Sequence, residues 1–570
     1  MRASHSCSVI APGSPIESPK ELRSHNGRLQ LELFLRNSLD PQGRTQFCYV
    51  DREGDRSPTL RVQPGDLLIL KLSNELNLAS TASGSTAPHP KTFEHWNCTI
   101  SAMSPDATNL HFHGLSVSPA CHADDSLRTY ISPSSKPFVY RFRIPKDQAP
   151  GLYWYHPHAH GHSEEQVLGG ASGTLIIEGI VSANSQVGGL PERILVIRDQ
   201  KLSPALTVNS GRDPGIPAKD LSVNFVPVPY PEYPVGTIRT APLEREFWRV
   251  LNASADTYVN LGILFNGEWR NGGLTAVHGN WAKLGLVAID GVPISGNDSA
   301  AKGVSWRSAI LIPPGGRAEF IFETPPEGTK AELITAGAET NPPNDEDSPN
   351  STAGRSGAVP DRDDFTPARP LARIVSSAST REPFALNKPR FATVPNRVAA
   401  LENITPVRHR TLFFSERVVD LKHPDTSTIF YLTEEGHLPK AFDPAVLAPD
   451  IVVHQGDVED WTIQNRSLES HVFHIHQVHF LLLERDGNPA TDRYLMDTVD
   501  VPYWDGSSSE YPSVKLRMDF RDPNIIGIFP YHCHILQHAD GGMMGLIQVL
   551  PSHESGQTIV SRKLSSPRSN

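Results

Sequence analysis

The stretch "YHCHILQHADGGMMG", residues 531–545, places His532, Cys533, His534, His538, Met543 and Met544 within fifteen positions. Along a strand successive side chains point to opposite faces, so His532 and His534 share one face and Cys533 looks the other way. One metal ion cannot easily take all three, and the segment reads as the junction of two sites. Far upstream, "YHPHAHGHSEEQVLGGASG", beginning at Tyr155, echoes it with Pro157 in the place of the cysteine. The echo keeps the histidine face and drops the sulfur.

This echo belongs to a longer repeat. "GDLLILKLSN" (65–74) precedes "NLHFHG" (109–114) as "GDVEDWTIQNRS" (456–467) precedes "SHVFHIHQ" (470–477). "GLYWYHPH" (151–158) parallels "GIFPYHCH" (527–534), and "GGASGTLII" (169–177) parallels "GGMMGLIQV" (541–549). First and last parts of the chain therefore read as copies of one unit. That unit is built of strands: "FVYRFRI" sets Phe138, Tyr140, Phe142 and Ile144 on one face against Val139, Arg141 and Arg143 on the other, the period-2 pattern of a half-buried strand. "DLLILKL", "GTLIIEG", "RAEFIFE" and "MGLIQVL" are further short runs bounded by turn formers.

With 42 glycines, 50 prolines and 20% charged residues, the composition suits an all-β protein of sandwiches or barrels. A chain of 570 residues exceeds a single core, and its length implies about three or four domains. The expected divisions are a mobile N-terminal tail (1–24), a first unit (25–182), a middle unit (183–385) with a low-complexity insert at 340–369, a linker (386–405), a last unit (406–555) and a C-terminal tail (556–570). The middle unit has strand signals but no His-x-His, and reads as a spacer or a substrate-facing copy.

The formal charge of -11 leaves no basic footprint for nucleic acid. No run approaches the roughly 20 apolar residues that a membrane-spanning helix needs. The N-terminal "MRASHSCSVIAPGSPIESPKEL" lacks the apolar core of an export signal, so either the chain is cytosolic or its leader lies outside this sequence. Of the five cysteines, Cys98 and Cys121 bracket a loop that a disulfide would close at a gain of roughly 3 kcal/mol. Buried free thiols are the alternative, with Cys7 and Cys48 unassigned.

Four histidine clusters carry the chemistry: His111-Phe112-His113, His156-Pro157-His158, His474-Ile475-His476 with His471 just before, and His532-Cys533-His534. A lone His-x-His is usually an ordinary pair on a strand surface, but four in matched repeats are not. Eight imidazoles suit three metals at two or three ligands each, with positions left open for oxygen. The offset of three from His474 lets His471 face the other way, where Cys533, His538 and Met543 join it. Soft thiolate, two imidazoles and a thioether are the composition of a blue-copper electron-transfer site. Zinc also accepts His and Cys, but the thioether favours a redox copper. Neighbouring Cα atoms are only about 3.8 Å apart, so Cys533 links the single copper to the histidine cluster through its own neighbours. One-electron oxidation at the first site then feeds a multi-electron reaction at the second, and dioxygen, reduced to water, is the natural acceptor. That reduction consumes protons, which calls for a carboxylate nearby.

At these residues "HFHG", "WYHPH", "HVFHIH" and "HCHILQHADGGMM" closely resemble, in order and spacing, the four copper motifs of the multicopper oxidases, the family of laccases, bilirubin oxidases and bacterial copper oxidases. The resemblance runs from about residue 25 to 552. It implies three cupredoxin-like Greek-key domains with a trinuclear cluster between the first and the third. It also implies four copper ions: one type 1, held by His471, Cys533, His538 and Met543; one type 2, held by His111 and His474; and a type 3 pair, held by His113, His156, His158, His476, His532 and His534. Asp124, in "CHADDS", is similar in placement to the family's proton-relay acid, with Asp125 as the fallback and two solvated loop acids as the plain alternative. Val472 stands where the family often has proline. Ala539, followed by Asp540, stands where bacterial relatives often carry glutamate.

The implied activity is oxygen-reducing oxidation of phenols, aromatic amines or similar one-electron donors by a periplasmic or secreted monomer whose partners are a small-molecule reductant and dioxygen. A cuprous-ion oxidase is less favoured, because there are six methionines and only Met543 and Met544 adjoin. A nitrite-reductase-like enzyme needs fewer His-x-His pairs, and a non-enzymatic copper-binding cupredoxin would have lost ligands. His95, His122, His160 and His479 read as surface or supporting residues and Met544 as packing. His162, spaced from His156 as His538 is from His532, reads as the relic of a lost type 1 site.

Overall fold

Six sheets of short strands pair into three sandwiches in a computed structural model that describes residues 7, 9–77, 98, 103–133, 135–203, 216–268, 278–294, 303–341, 366–378, 397–420, 427–491 and 493–552. Alternation is what lets the sheets pair: along Phe138–Arg143 the apolar Phe138, Tyr140 and Phe142 are buried while Val139, Arg141 and Arg143 are exposed.

In the first sandwich one sheet runs Thr45–Val50, Arg28–Leu39, Leu67–Asn74, Phe138–Arg143. The other runs Glu21–Arg23, Thr59–Val62, Gly173–Ile177, Gly151–His156, His111–His113. The last sandwich repeats this path, with Thr428–Glu434, Arg408–Val418, Val458–Asn465 and Ser513–Asp519 facing Ile451–His454, Met544–Leu550, Gly527–Cys533 and His471–Ile475. Even the parallel pairing recurs: Arg28–Leu39 runs alongside Leu67–Asn74 as Arg408–Val418 does alongside Val458–Asn465. The middle unit has the same order, Lys219–Val223, Glu192–Lys201, Arg245–Asn252, Arg317–Glu323 against Gly236–Thr240, Arg369–Ser376, Ala331–Thr335, Val259–Glu268. It is a third copy of the topology from which the histidine motifs are missing.

Each sandwich has its own core, around Leu33, Leu70, Phe112 and Tyr155 in the first, Ile197, Trp248, Phe320 and Leu333 in the middle, and Phe414, Trp461 and Phe473 in the last. Cys533 and Met543 belong to that last core, so the sulfur donors sit in an apolar setting.

The stretch before residue 25, expected to be a mobile tail, is a strap over its described residues, 7 and 9–24. Cys7 is disulfide-bonded to Cys48, Ile16 is buried in the middle core, Pro15 bridges Thr237, and Glu21–Arg23 pairs in parallel with Thr59, Leu60 and Arg61. Single buried residues among prolines and serines carry no period, which hid this from the sequence. Cys98 and Cys121 form the second disulfide. Within 386–405 the described residues, 397–405, open with a short helix, Arg397–Glu402, in which Leu401 is buried. Most of the 340–369 insert and the tail from residue 553 lie outside the described residues. Among the described residues no helix is long and apolar enough to cross a membrane.

Candidate metal centre

Strand pairing brings the histidines together before any side-chain choice is made. His111–His113 lies antiparallel to Gly151–His156 with His111 opposite His156. In the last sandwich His474 lies opposite His532, and Phe473 opposite Cys533. These two edges face each other, so the eight imidazoles of the four His-x-His pairs meet in one place, none more than 3% exposed. Rings from opposite sandwiches stack, His111 on His476 at 3.7 Å and His113 on His474 at 3.9 Å between centroids.

The nitrogen atoms test whether this assembly suits metal ions. His111 Nδ1 lies 3.0 Å from Asp124 Oδ2, His156 Nδ1 donates to the Pro157 carbonyl at 2.9 Å, His474 Nδ1 to the Asp497 carbonyl at 2.7 Å, and His532 Nδ1 to the Cys533 carbonyl at 2.7 Å. Each of these rings then carries its lone pair on Nε2. The Nε2 atoms of His111, His156, His474 and His534, and Nδ1 of His113, are buried without a hydrogen-bond partner, a costly arrangement for polar atoms unless a cation satisfies them. Nε2 of His532 lies 3.2 Å from Nε2 of both His158 and His476. Burial holds His113, His156, His158, His474, His476 and His534 well below the ordinary imidazole range, the neighbouring rings adding to it, and pushes His532 down to about 4. Neutral, convergent imidazoles are the form that binds a metal.

On the other face of the Gly527–Cys533 strand, Cys533 Sγ stands 3.8 Å from Nδ1 of His471 and 3.8 Å from Nδ1 of His538, which are 3.0 Å apart. The Val472 N–H donates to the sulfur at 3.4 Å. The outer nitrogens are tethered, His471 Nε2 to Ser467 Oγ at 2.7 Å and His538 Nε2 to Glu469 Oε2 at 3.1 Å. Burial lowers the His471 pKa; at His538 it is outweighed by Cys533 and Glu469, which raise it. Met543 is fully buried, and its carbonyl takes the Cys533 N–H at 3.1 Å. Two imidazoles and a thiol, with Met543 buried in the same core, fit a soft, redox-active ion.

Of the two candidate acids, Asp124 reaches the cluster. Besides His111 it accepts the Phe112 N–H at 3.0 Å and Gln477 Nε2 at 2.6 Å. Asp125 turns to Arg128, accepting its N–H at 3.1 Å, and burial raises its pKa. Asp540 accepts the N–H groups of Gly161 and Glu164 at 2.8 and 2.9 Å, tying the last sandwich to the first. His160 packs against Phe442, His122 stacks on Phe138, and Met544 is buried; His95 lies outside the described residues. Sequence reasoning missed Glu469, Gln477, Asp497 and Arg317. "DTVDVPY" (497–503) carries no metal-ligand spacing, and Asp497 meets His113 across 384 positions.

Two segments, residues 97–181 and 419–553, match family models described as multicopper oxidase. The chain is 22% identical over 549 residues to a multicopper oxidase of Staphylococcus epidermidis, covering 93% of this chain and 96% of that one. With a multicopper oxidase of Staphylococcus haemolyticus it shares 23% over 502 residues, covering 86% and 81%. Among solved structures it is similar to a multicopper oxidase from Campylobacter jejuni described as a metallo-oxidase, with a TM-score of 0.63 at 23% identity over 95% of this chain and 96% of that one. With both copper-motif regions matched by multicopper oxidase models and the cupredoxin-like fold matched throughout, the chain is similar along its length to the multicopper oxidases, copper-dependent oxidoreductases that use dioxygen as acceptor.

Proposed function

We propose that this oxidase withdraws single electrons from a small organic donor, a phenol, an aromatic amine or a similar compound, at a type 1 copper, and delivers them to dioxygen at a trinuclear cluster, where four electrons and four protons yield two waters. In this reading His471, Cys533, His538 and Met543 hold type 1. His111 and His474 would hold type 2, and His113, His156, His158, His476, His532 and His534 would hold the type 3 pair. When bound, the copper ions supply one-electron redox steps at the first site and a four-electron reduction at the second.

The observation that carries the reading is the division at Cys533. Its sulfur faces the His471–His538 pair, while its two chain neighbours turn their imidazoles into the other group of buried nitrogens. The protein's part at the cluster is to keep the imidazoles neutral and aimed, to exclude bulk water by burial, and to hold an acid beside His111. Asp124, linked through Gln477 to the last sandwich, is the residue we assign to proton delivery. Two disulfides support work in an oxidising compartment, periplasmic or extracellular.

A metal-ion donor is the second reading. Its support is Glu469, a part-exposed carboxylate 3.1 Å from Nε2 of His538, together with the description of the Campylobacter jejuni relative as a metallo-oxidase. One preparation decides between them. Copper-loaded protein should contain about four coppers per chain, be intensely blue, and consume oxygen with organic donors without releasing peroxide. A colourless protein, or one that consumes oxygen only with cuprous or ferrous ions, would overturn the organic-donor reading.

A further inference from the structure

We infer that Arg317, supplied by the middle sandwich, is a positioning residue for the histidine cluster: acting through Asp497, it fixes which nitrogen of His113 faces inward. The inference rests on the four-copper reading above. Arg317 opens the Arg317–Glu323 strand and its side chain is fully buried. Nη1 donates to Asp497 Oδ1 at 2.7 Å and Nη2 to Asp497 Oδ2 at 2.5 Å, the two-pronged contact that a planar guanidinium makes and an ammonium cannot. Thr498 Oγ1 donates to the same Oδ1 at 2.8 Å, and His113 Nε2 stands 3.1 Å from it. A carboxylate locked in this way only accepts, so His113 carries its proton on Nε2 and turns Nδ1 inward. His111, His156, His474 and His532 are anchored the opposite way, with Nδ1 on a protein acceptor. Asp497 therefore sets the one reversed ring among these five, and its own carbonyl anchors His474, the ring stacked on His113.

An independent observation is the space cleared around the pair. A Cβ on Gly114, the residue after His113, would fall 2.6 Å from both Arg317 Nη2 and Asp497 Oδ2. A Cβ on Gly315, two residues before Arg317, would fall 2.8 Å from His534 Nε2. The guanidinium is also held by the carbonyls of Asp290 at 2.9 Å, Gly315 at 3.1 Å and Leu152 at 3.3 Å. First and middle sandwiches thus grip Arg317 while it grips a carboxylate of the last. The unit without a His-x-His takes part in the metal centre by orienting it.

The test compares copper-loaded full-length parent, Arg317→Lys, Arg317→Met and the double variant Arg317→Met/Asp497→Asn, which removes the charges of the pair and leaves the buried Asp290 carboxyl, 3.6 Å from Arg317 Nη1, to take up a proton. Copper content, the type 1 and type 2 paramagnetic signals, the near-ultraviolet band of the coupled pair and thermal melting are measured. Type 1 copper lies in the last sandwich and reports folding in each variant. We expect Arg317→Met to keep its blue colour while cluster copper binds about 10–100-fold more weakly. Arg317→Lys should recover part of the cluster signal. The double variant should melt close to the parent yet still lack the coupled-pair band. A double variant with full copper and unchanged cluster spectra would overturn the inference, as would loss of type 1 colour together with the cluster in all three variants, which would mark a purely structural role. A parent that itself takes up no cluster copper would overturn the four-copper reading, and the inference with it.

Discussion

His532 donates its Nδ1–H to the Cys533 carbonyl and is held by burial at a pKa of about 4; six of the seven rings around it are likewise held well below 6.5. This determines how the metal-free protein responds to acid. An unfolded histidine takes up its proton near pH 6.5, whereas these folded ones do not. Between that pH and the lower folded values the unfolded state binds more protons, so stability falls as pH falls. Each ring kept neutral contributes a slope of about 1.4 kcal/mol per pH unit over its window. Copper-free protein should therefore lose melting temperature steeply from pH 6.5 to 5 and little from pH 8 to 7. A melting temperature that is level from pH 7 to 5 would contradict the neutral, buried cluster.

At the scale of the strand, alternation accounts for the division of the candidate ligands: His532 and His534, the residue that follows Gly527–Cys533, fall on one face and the thiol on the other. This much was legible, because period 2 and the His-x-His spacing are local properties. The supporting residues were not. Asp497 and Arg317 meet His113 only through tertiary approach, and neither sits in a pattern that spacing could flag. The middle sandwich was legible as a copy only through the resemblance, with a spacer as the alternative reading, because the histidines that marked the other two are absent there; its strand order is the same. The glycine of "HFHG" was legible as part of a motif but not as a steric necessity. Gly114 has a φ of +85° and no room for a Cβ, whereas Gly161, at +80°, has nothing within 4 Å of that position. Gly161→Ala should cost about 1–2 kcal/mol for the left-handed backbone alone. Gly114→Ala should cost about 1–3 kcal/mol more, since it overpacks against the Arg317–Asp497 pair. Urea unfolding of the two variants measures the difference, and equal losses would show that the pair can yield at no cost.

Across the whole molecule, the joint between first and middle sandwiches sets an ionic network beside an apolar cluster in which Leu152, Trp154 and Ile176 meet Ile194, Val196 and Leu251. Arg61 binds Glu21 at 2.7 Å, Glu178 at 3.0 Å and Glu192; Arg249 binds Glu192 and Glu319; and Glu319 accepts the Leu152 N–H at 2.8 Å. Leu152 lies in the Gly151–His156 strand that ends at a cluster histidine, so the joint and the metal centre share one element. Taking these charges out of water is costly, and their mutual pairing is what offsets it. Arg249→Met would leave Glu319 fully buried without its cation and should destabilise the protein by about 3–5 kcal/mol, the usual consequence of removing one partner of a buried pair. Replacing Glu319 by Gln in the same chain removes the stranded charge while keeping an acceptor for the Leu152 N–H, and most of that loss should return. Denaturant unfolding of the two variants separates a desolvated ionic joint from ordinary packing: if the double variant is no more stable than Arg249→Met alone, the arginine acts there by its bulk and not by its charge.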